Sequence, residues 1–352
     1  MKKIVTLVLV LFIGFALVAA GVAAPGRVLA SVGNNQLVQT YTHALFLPLL
    51  ISPGRIAVNL PETCIPDPSI PEEYVFKTTH YNTSIGYEDL GLDSVYMDFD
   101  YNDWITDIAT DLCYYTIPNR GLFLWQLDFA VLPQARGAGL DHAYHIDFPA
   151  NIFPSDGEAT ITIYDDNNVV VGTPLVQPFL ANQINQYTMV DPTSNALPGA
   201  IVNTVEAEAY VNPRGYATLS IRFDSPFFFD VTLYDPAQPG NEHGEKLFFQ
   251  PHLFVYNTPT YEIGPGSPLM LVVPFLEWEW PEERVVIWNA YPDVIPGDLS
   301  IIPRIPPVFP LNWHANFNDC VYNGVPCTPP VASSGAAQAE GPFVIPSPSP
   351  EP

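Results

Sequence analysis

The sequence predicts an all-β fold, a β-sandwich of jelly-roll-like type, and three observations carry that expectation. The chain holds 39 Pro, 21 Phe and 18 Tyr against only 12 Lys and Arg in 352 residues, a composition of strands and turns rather than helices. From about residue 75 onward, short runs of alternating apolar and polar residues are separated by turn signals at the spacing of a sandwich. No stretch carries a 3.6-residue apolar stripe over three turns; residues 104–112 are the one contender and read equally well as a strand.

Taken in order, the chain opens with an export signal over residues 1–30. Lys2 and Lys3 form a short positive region, and an apolar run from Ile4 to Ala24 follows, broken only by Thr6 and glycines. Small residues allow cleavage after Ala20 or Ala30, whereas Pro25 disfavours cleavage after Ala24. The run is long enough to span a bilayer, so it is either cut or kept as an anchor, and the membrane is a partner only in the second case. Residues 31–74 read as a lead-in segment, with one strand at 44–50. The domain proper is expected over 75–328, with strands at 121–131, 143–148, 159–164, 169–172, 217–223, 228–234, 247–256 and 285–290. The third and fourth form a hairpin about the turn Asp165-Asp166-Asn167-Asn168, and 285–290 is taken as an inner strand. Residues 329–352, ending Ser-Pro-Ser-Pro-Glu-Pro, form a Pro/Ser-rich tail that cannot bury a core and is expected to be disordered.

The four cysteines, Cys64, Cys113, Cys320 and Cys327, are an even number on the exported side, where disulfides form. Cys320 and Cys327 flank Asn323-Gly324 and Pro326, turn chemistry suited to a local staple, which leaves Cys64 for Cys113. The net charge of −25 excludes nucleic acid and anionic lipid as partners and suits a secreted or cell-surface protein.

The acids are unevenly spread. Between Lys77 and Arg120 there is no basic residue, yet the interval holds Glu88, Asp89, Asp93, Asp98, Asp100, Asp103, Asp107 and Asp111. Carboxylates packed without basic partners repel one another unless water or a bound cation screens them, and an oxygen-rich cluster suits a hard cation, Ca2+ above all. If residues 97–103 are extended, Asp98, Asp100 and Asn102 point to one side and Phe99 and Tyr101 to the other. Asp98, Asp100, Asn102 and Asp103 are then the candidate ligands, with Glu88 and Asp89 completing the shell from a neighbouring loop. An EF-hand loop is rejected, because Asp103 stands where its turn glycine belongs and Ala109 where its bidentate glutamate belongs.

Gly86-Tyr-Glu-Asp-Leu90 followed by Asp98-Phe-Asp-Tyr-Asn-Asp103 resembles the signature of the LruC-domain family. Three later segments agree in order: Ala135-Arg-Gly-Ala-Gly139; Gln250-Pro-His-Leu through Pro259-Thr260; and Leu271-Val-Val, Trp280-Pro-Glu282 and Ala290-Tyr-Pro292. The resemblance spans roughly residues 78–322. It implies an exported or surface β domain that binds calcium and has no established enzymatic activity, and it names no ligand. The chain departs from the pattern at Gln250-Pro251, which replaces a Glu-Ile before His252, and in the spacer between Leu90 and Asp98.

The function expected is therefore a non-catalytic module, secreted or at the cell surface and held by calcium, that engages a surface glycan, matrix or protein ligand. The alternative is a secreted polysaccharide hydrolase acting through paired carboxylates such as Glu277 and Glu279, which sit among tryptophans in Glu277-Trp-Glu-Trp-Pro-Glu-Glu283. His252 reads as a buried or hydrogen-bonded strand residue, and His142, His145, Asp141 and Asp147 as parts of an alternating strand. No G-x-S-x-G, H-E-x-x-H or phosphate loop is present.

Overall fold

In a computed structural model of the chain the described residues are 64, 75–117, 120–137, 139–205, 210–230, 247–256, 268–273, 278–310, 312–318 and 320–322. The chain divides into two compact units, Met1–Leu47 and Pro48–Pro352, and every described residue belongs to the second. The expected export signal, the strand at 44–50, Glu277, Cys327 and the C-terminal tail lie outside the described residues, as does most of the strand expected at 228–234.

Among the described residues, ten strands build an all-β sandwich. They are β1 (Val75–Glu88), β2 (Trp104–Ile117), β3 (Gly121–Ala135), β4 (His142–Phe148), β5 (Gly157–Asp165), β6 (Leu175–Phe179), β7 (Asn185–Val190), β8 (Gly215–Phe228), β9 (Gln250–Val255) and β10 (Leu269–Val273). Seven form one antiparallel sheet in the order β10-β1-β2-β3-β8-β5-β6, and three form a second, β7-β4-β9. The contender at 104–112 is a strand, because its period is two: Trp104, Ile108, Leu112 and Tyr114 enter the core between the sheets, while Asp107, Ala109 and Asp111 take the other face. Pro251 is tolerated in β9 because that strand lies at a sheet edge.

Two expected elements differ. The turn closes as expected, with Asp165 N–H on the Val169 carbonyl, Val171 N–H on the Ile163 carbonyl and a bridge from Tyr164 to Val170, but 169–172 form no strand and the strand that pairs with β5 beyond the turn is β6. Residues 285–290 are not an inner strand. They end in a one-turn helix, α2 (Ile287–Ala290; α1 is Thr193–Ala196), closed by Asn289 N–H on the Val286 carbonyl and Tyr291 N–H on that of Ile287. The helical turn sends Ile287 and Ala290 inward together, and Ile287 N–H is taken by the Phe99 carbonyl rather than by a neighbouring strand.

Among the described residues the core has two large parts and a small third around Cys113. The larger lies between the sheets and is dense in phenylalanine: Phe129, Phe148, Phe153, Phe179 and Phe223 pack mostly edge to face. The second gathers Met97, Phe99 and Tyr101 with Trp278, Trp280, Ile287, Tyr291 and Trp313. That second core holds the acidic segment in place. Cys64 is bonded to Cys113, beside Tyr115, Trp125 and Phe76. Cys320 is also disulfide-bonded.

Candidate metal centre

Residues 97–103 are not extended. Phe99 and Tyr101 adopt left-handed backbone conformations, φ 58° and 55°, which cost bulky residues about 1–3 kcal/mol each. The alternation of sides nevertheless survives: Met97, Phe99 and Tyr101 enter the second core while the acids between them turn toward the end of β1. Burial of the two rings, worth about 1.5–3 kcal/mol each, offsets the backbone strain. Gly86 makes the approach possible, since a Cβ there would stand 2.6 Å from the Tyr101 carbonyl oxygen and 2.8 Å from the Trp278 ring.

The loop brings the expected acids together. Oxygens of Glu88, Asp98 and Asp100 lie within 4.8 Å of one another, as do oxygens of Glu88, Asp89 and Asp103. Two ligands of one calcium ion at about 2.3–2.6 Å each are separated by no more than about 5 Å, so each trio has the right span. Backbone donors fix the carboxylates: Phe99 N–H to Glu88 (3.0 Å), Asp89 N–H to Asp103 (2.7 Å), Arg284 N–H and Asn102 N–H to the two oxygens of Asp100 (2.8 and 3.2 Å). His142 Nε2 lies 3.1 Å from Asp89. Asp107, Asp111 and Asp93 do not join. Asp107 accepts from Ser84 and from Gln134 (2.9 Å), Asp111 pairs with His80 (2.5 Å), and Asp93 is exposed.

Sequence reasoning missed a sixth carboxylate, Glu283, and the glycine that makes room for it. A Cβ on Gly137 would fall 2.2 Å from Asn102 Oδ1 and 2.8 Å from a Glu283 oxygen, so both oxygens face the space above Gly137. Both residues lie in or beside the segments Ala135–Gly139 and Trp280–Glu282, and those segments were the available signal. The basic partners absent from the local sequence arrive from a distance: the charge of Arg136 bears on Asp89, and that of Arg284 on Asp98 and Glu283.

Two basic groups do not neutralise six acids. Burial, joined by mutual repulsion, holds Glu88, Asp100 and Asp103 well above the carboxylate range. Burial likewise pushes Asp89 to about 7, Asp98 to about 6 and Glu283 to about 8. His142 brings no charge, since burial pushes it down to about 3. Without a cation, the centre is stable only by holding protons.

Asn102 is fully buried. Its Nδ2 donates to the Pro281 carbonyl (3.0 Å), which fixes the amide so that Oδ1 faces Glu283. No donor among the described residues reaches that oxygen. The Glu283 oxygen accepts from Thr204 Oγ1 (3.3 Å); once ionised it cannot satisfy the amide oxygen, and a buried acceptor left alone costs about 1–3 kcal/mol. A proton on Glu283 or a cation beside both oxygens meets that need, and the donor set, all oxygen and all but one acidic, fits Ca2+.

Trp278 and Trp280 are buried in the second core, and the Trp280 indole donates to the Asn203 carbonyl (2.8 Å). They are therefore not an exposed sugar-binding platform. His252 is a strand residue of β9, half-exposed rather than buried, with Nδ1 3.5 Å from Asp147 Oδ2.

No protein-family model matches the chain, and no curated protein sequence does. Among solved structures, the chain is similar to a "Putative lipoprotein from Bacteroides ovatus", at 12% identity and TM-score 0.42 over 74% of this chain and 79% of that one. A second likeness is to the enzymatically active domain of Bacteriophage CBA120 tailspike protein 4, at 10% identity and TM-score 0.17 over 44% of this chain and 17% of that one. At these scores neither likeness bears on function. No helix of the described residues is long and apolar enough to cross a membrane.

Proposed function

We propose that this chain is an exported, non-catalytic β domain of LruC type that binds Ca2+ through Glu88, Asp89, Asp98, Asp100, Asn102, Asp103 and Glu283. The single observation that carries the reading is the buried Asn102 Oδ1, without a donor, facing Glu283 in a pocket of acids. Calcium here pins the loop 97–103 to the end of β1 and to the segment 280–284, joining parts of the chain about 180 residues apart in sequence. The role is structural, and the rigid end of the sandwich presents a binding surface to a glycan, matrix or protein ligand outside the cell. Its acidity and its export signal both support that setting.

Isothermal titration of metal-free mature protein with CaCl2 tests the reading, with Asp103→Asn as the comparison. Saturable binding that is lost or weakened at least tenfold in the variant is expected. Absence of any calcium heat or thermal shift in the wild type would refute the site.

A further inference from the structure

The outward face of the three-stranded sheet carries a second constellation of chemically different character. Strand alternation sends Tyr144, Ile146 and Phe148 of β4 to the core and turns His145 and Asp147 outward; β9 buries Leu253 and Val255 and turns His252 and Phe254 outward. The register places His145 directly opposite His252 on one side and opposite Thr188 of β7 on the other. The two imidazoles lie with ring centres 6.3 Å apart and planes inclined by 48°.

Both rings are oriented through the same nitrogen. His145 Nδ1 meets Thr188 Oγ1 at 3.1 Å, and His252 Nδ1 lies 3.5 Å from Asp147 Oδ2. That carboxylate oxygen is itself held by Gln186 Nε2 at 3.2 Å, and the other is buried with no donor among the described residues. With Nδ1 turned to Thr188 in one ring and toward Asp147 in the other, Nε2 is the nitrogen of each ring left for a metal, and a carboxylate behind a histidine is the recurring support of imidazole–metal bonds.

We propose that His145 and His252 form a surface site for a divalent transition-metal ion of the Zn2+, Ni2+ or Cu2+ class, with Asp147 and Thr188 as positioning residues. A ring nitrogen stands about 1 Å from its ring centre and a Zn–N bond is about 2.0–2.1 Å, so two imidazoles on one tetrahedral ion have centres roughly 5 Å apart. The observed 6.3 Å is about 1 Å wider than that, a gap that a rotation of the half-exposed His252 side chain closes. Imidazole nitrogens select these metals over calcium, which takes oxygen. The site is therefore independent of the acidic centre, and water fills the remaining coordination positions.

The experiment uses untagged mature chain saturated with CaCl2, so that the acidic centre is already filled, and titrates it with ZnCl2 by calorimetry. One zinc per chain is expected. His145→Ala and His252→Ala should each weaken binding at least tenfold, and Asp147→Asn about 10–100-fold, while all three keep the calcium-dependent thermal shift. Asp103→Asn should bind zinc as the wild type does. If the His145 variant fails to fold, the more exposed His252→Gln decides alone. The assignment is overturned if wild type shows no saturable zinc binding, or if removing His252 leaves the affinity unchanged.

Discussion

Stability should depend on pH with opposite consequences in chelator and in calcium, and the acidic centre sets the sign. A carboxyl whose pKa is raised on folding holds a proton in the folded chain that the unfolded chain has already released. Stability is then full below the unfolded value and is lost as pH rises through the folded one. Asp89, raised from 3.8 to about 7, illustrates the scale: at about 1.36 kcal/mol per pH unit it alone removes about 4 kcal/mol between pH 4 and pH 8. Asp98 and Glu283, at about 6 and about 8, act in the same direction over the same window. The acids share one small volume, so their contributions do not add. For a domain of this size, about 4 kcal/mol corresponds to a fall in melting temperature of roughly 8–16 °C. Calcium replaces the protons, and a hundredfold excess over Kd restores about 2.7 kcal/mol at pH 8. The assay is a thermal melt of mature protein from pH 5 to pH 8.5, in EDTA and in calcium. The expected result is a steep fall in EDTA that calcium largely abolishes. A melting temperature in EDTA that stays level or rises over this range, with no calcium effect at pH 8, would refute the reasoning.

Glu283→Gln should raise the melting temperature in EDTA at pH 8, because it removes a buried charge, yet weaken calcium binding; isothermal titration and melts together check both signs. Gly137→Ala should cost about 1–3 kcal/mol by overpacking and blunt the calcium response, since its Cβ meets Asn102 Oδ1 at 2.2 Å. Gly139→Ala, where a Cβ meets nothing within 4 Å, is the silent control in the same melts. Cys113→Ser opens the Cys64–Cys113 bridge, whose sequence separation is 49, and should destabilise by about 4 kcal/mol on chain-entropy grounds; chemical denaturation under non-reducing conditions measures it, and an unchanged midpoint would count against the bridge.

The strands were legible because burial on one face writes a period of two into the sequence, and β2 through β5 and β8 lie where that period runs. Two of the departures have local causes. Residues 285–290, Val-Val-Ile-Trp-Asn-Ala, are β-rich in propensity, but Ile287 N–H is captured by the Phe99 carbonyl and the chain closes a helical turn instead. Residues 97–103 show the subtler case. Alternation of aromatic and acidic residues correctly predicted which side chains part company, but a period of two specifies sides, not backbone. A loop with left-handed residues at Phe99 and Tyr101 satisfies the same pattern as a strand, and it curls the acids toward Glu88 where a strand would have spread them along one face.

What the sequence concealed about the acidic centre is its closing half. Gly137 and Glu283 lie far from Asn102 in the chain, and no local pattern links them to it. Their meeting depends on Trp278, Trp280 and Ile287, which anchor the segment 278–290 in the second core beside Phe99 and Tyr101. Acids next to tryptophans suggest a sugar platform when read as a string. In the fold the tryptophans are buried, and burying them is what carries Glu283 to within reach of the loop acids. The tryptophans and the calcium ligands thus form one device: apolar anchors on one side of each segment fix where its oxygens must lie on the other. A variant that loosens the second core, such as Trp280→Phe, which also loses the bond to the Asn203 carbonyl, should therefore weaken calcium binding without touching a ligand. Unchanged calcium affinity in a folded Trp280→Phe chain would separate the two and break this part of the argument.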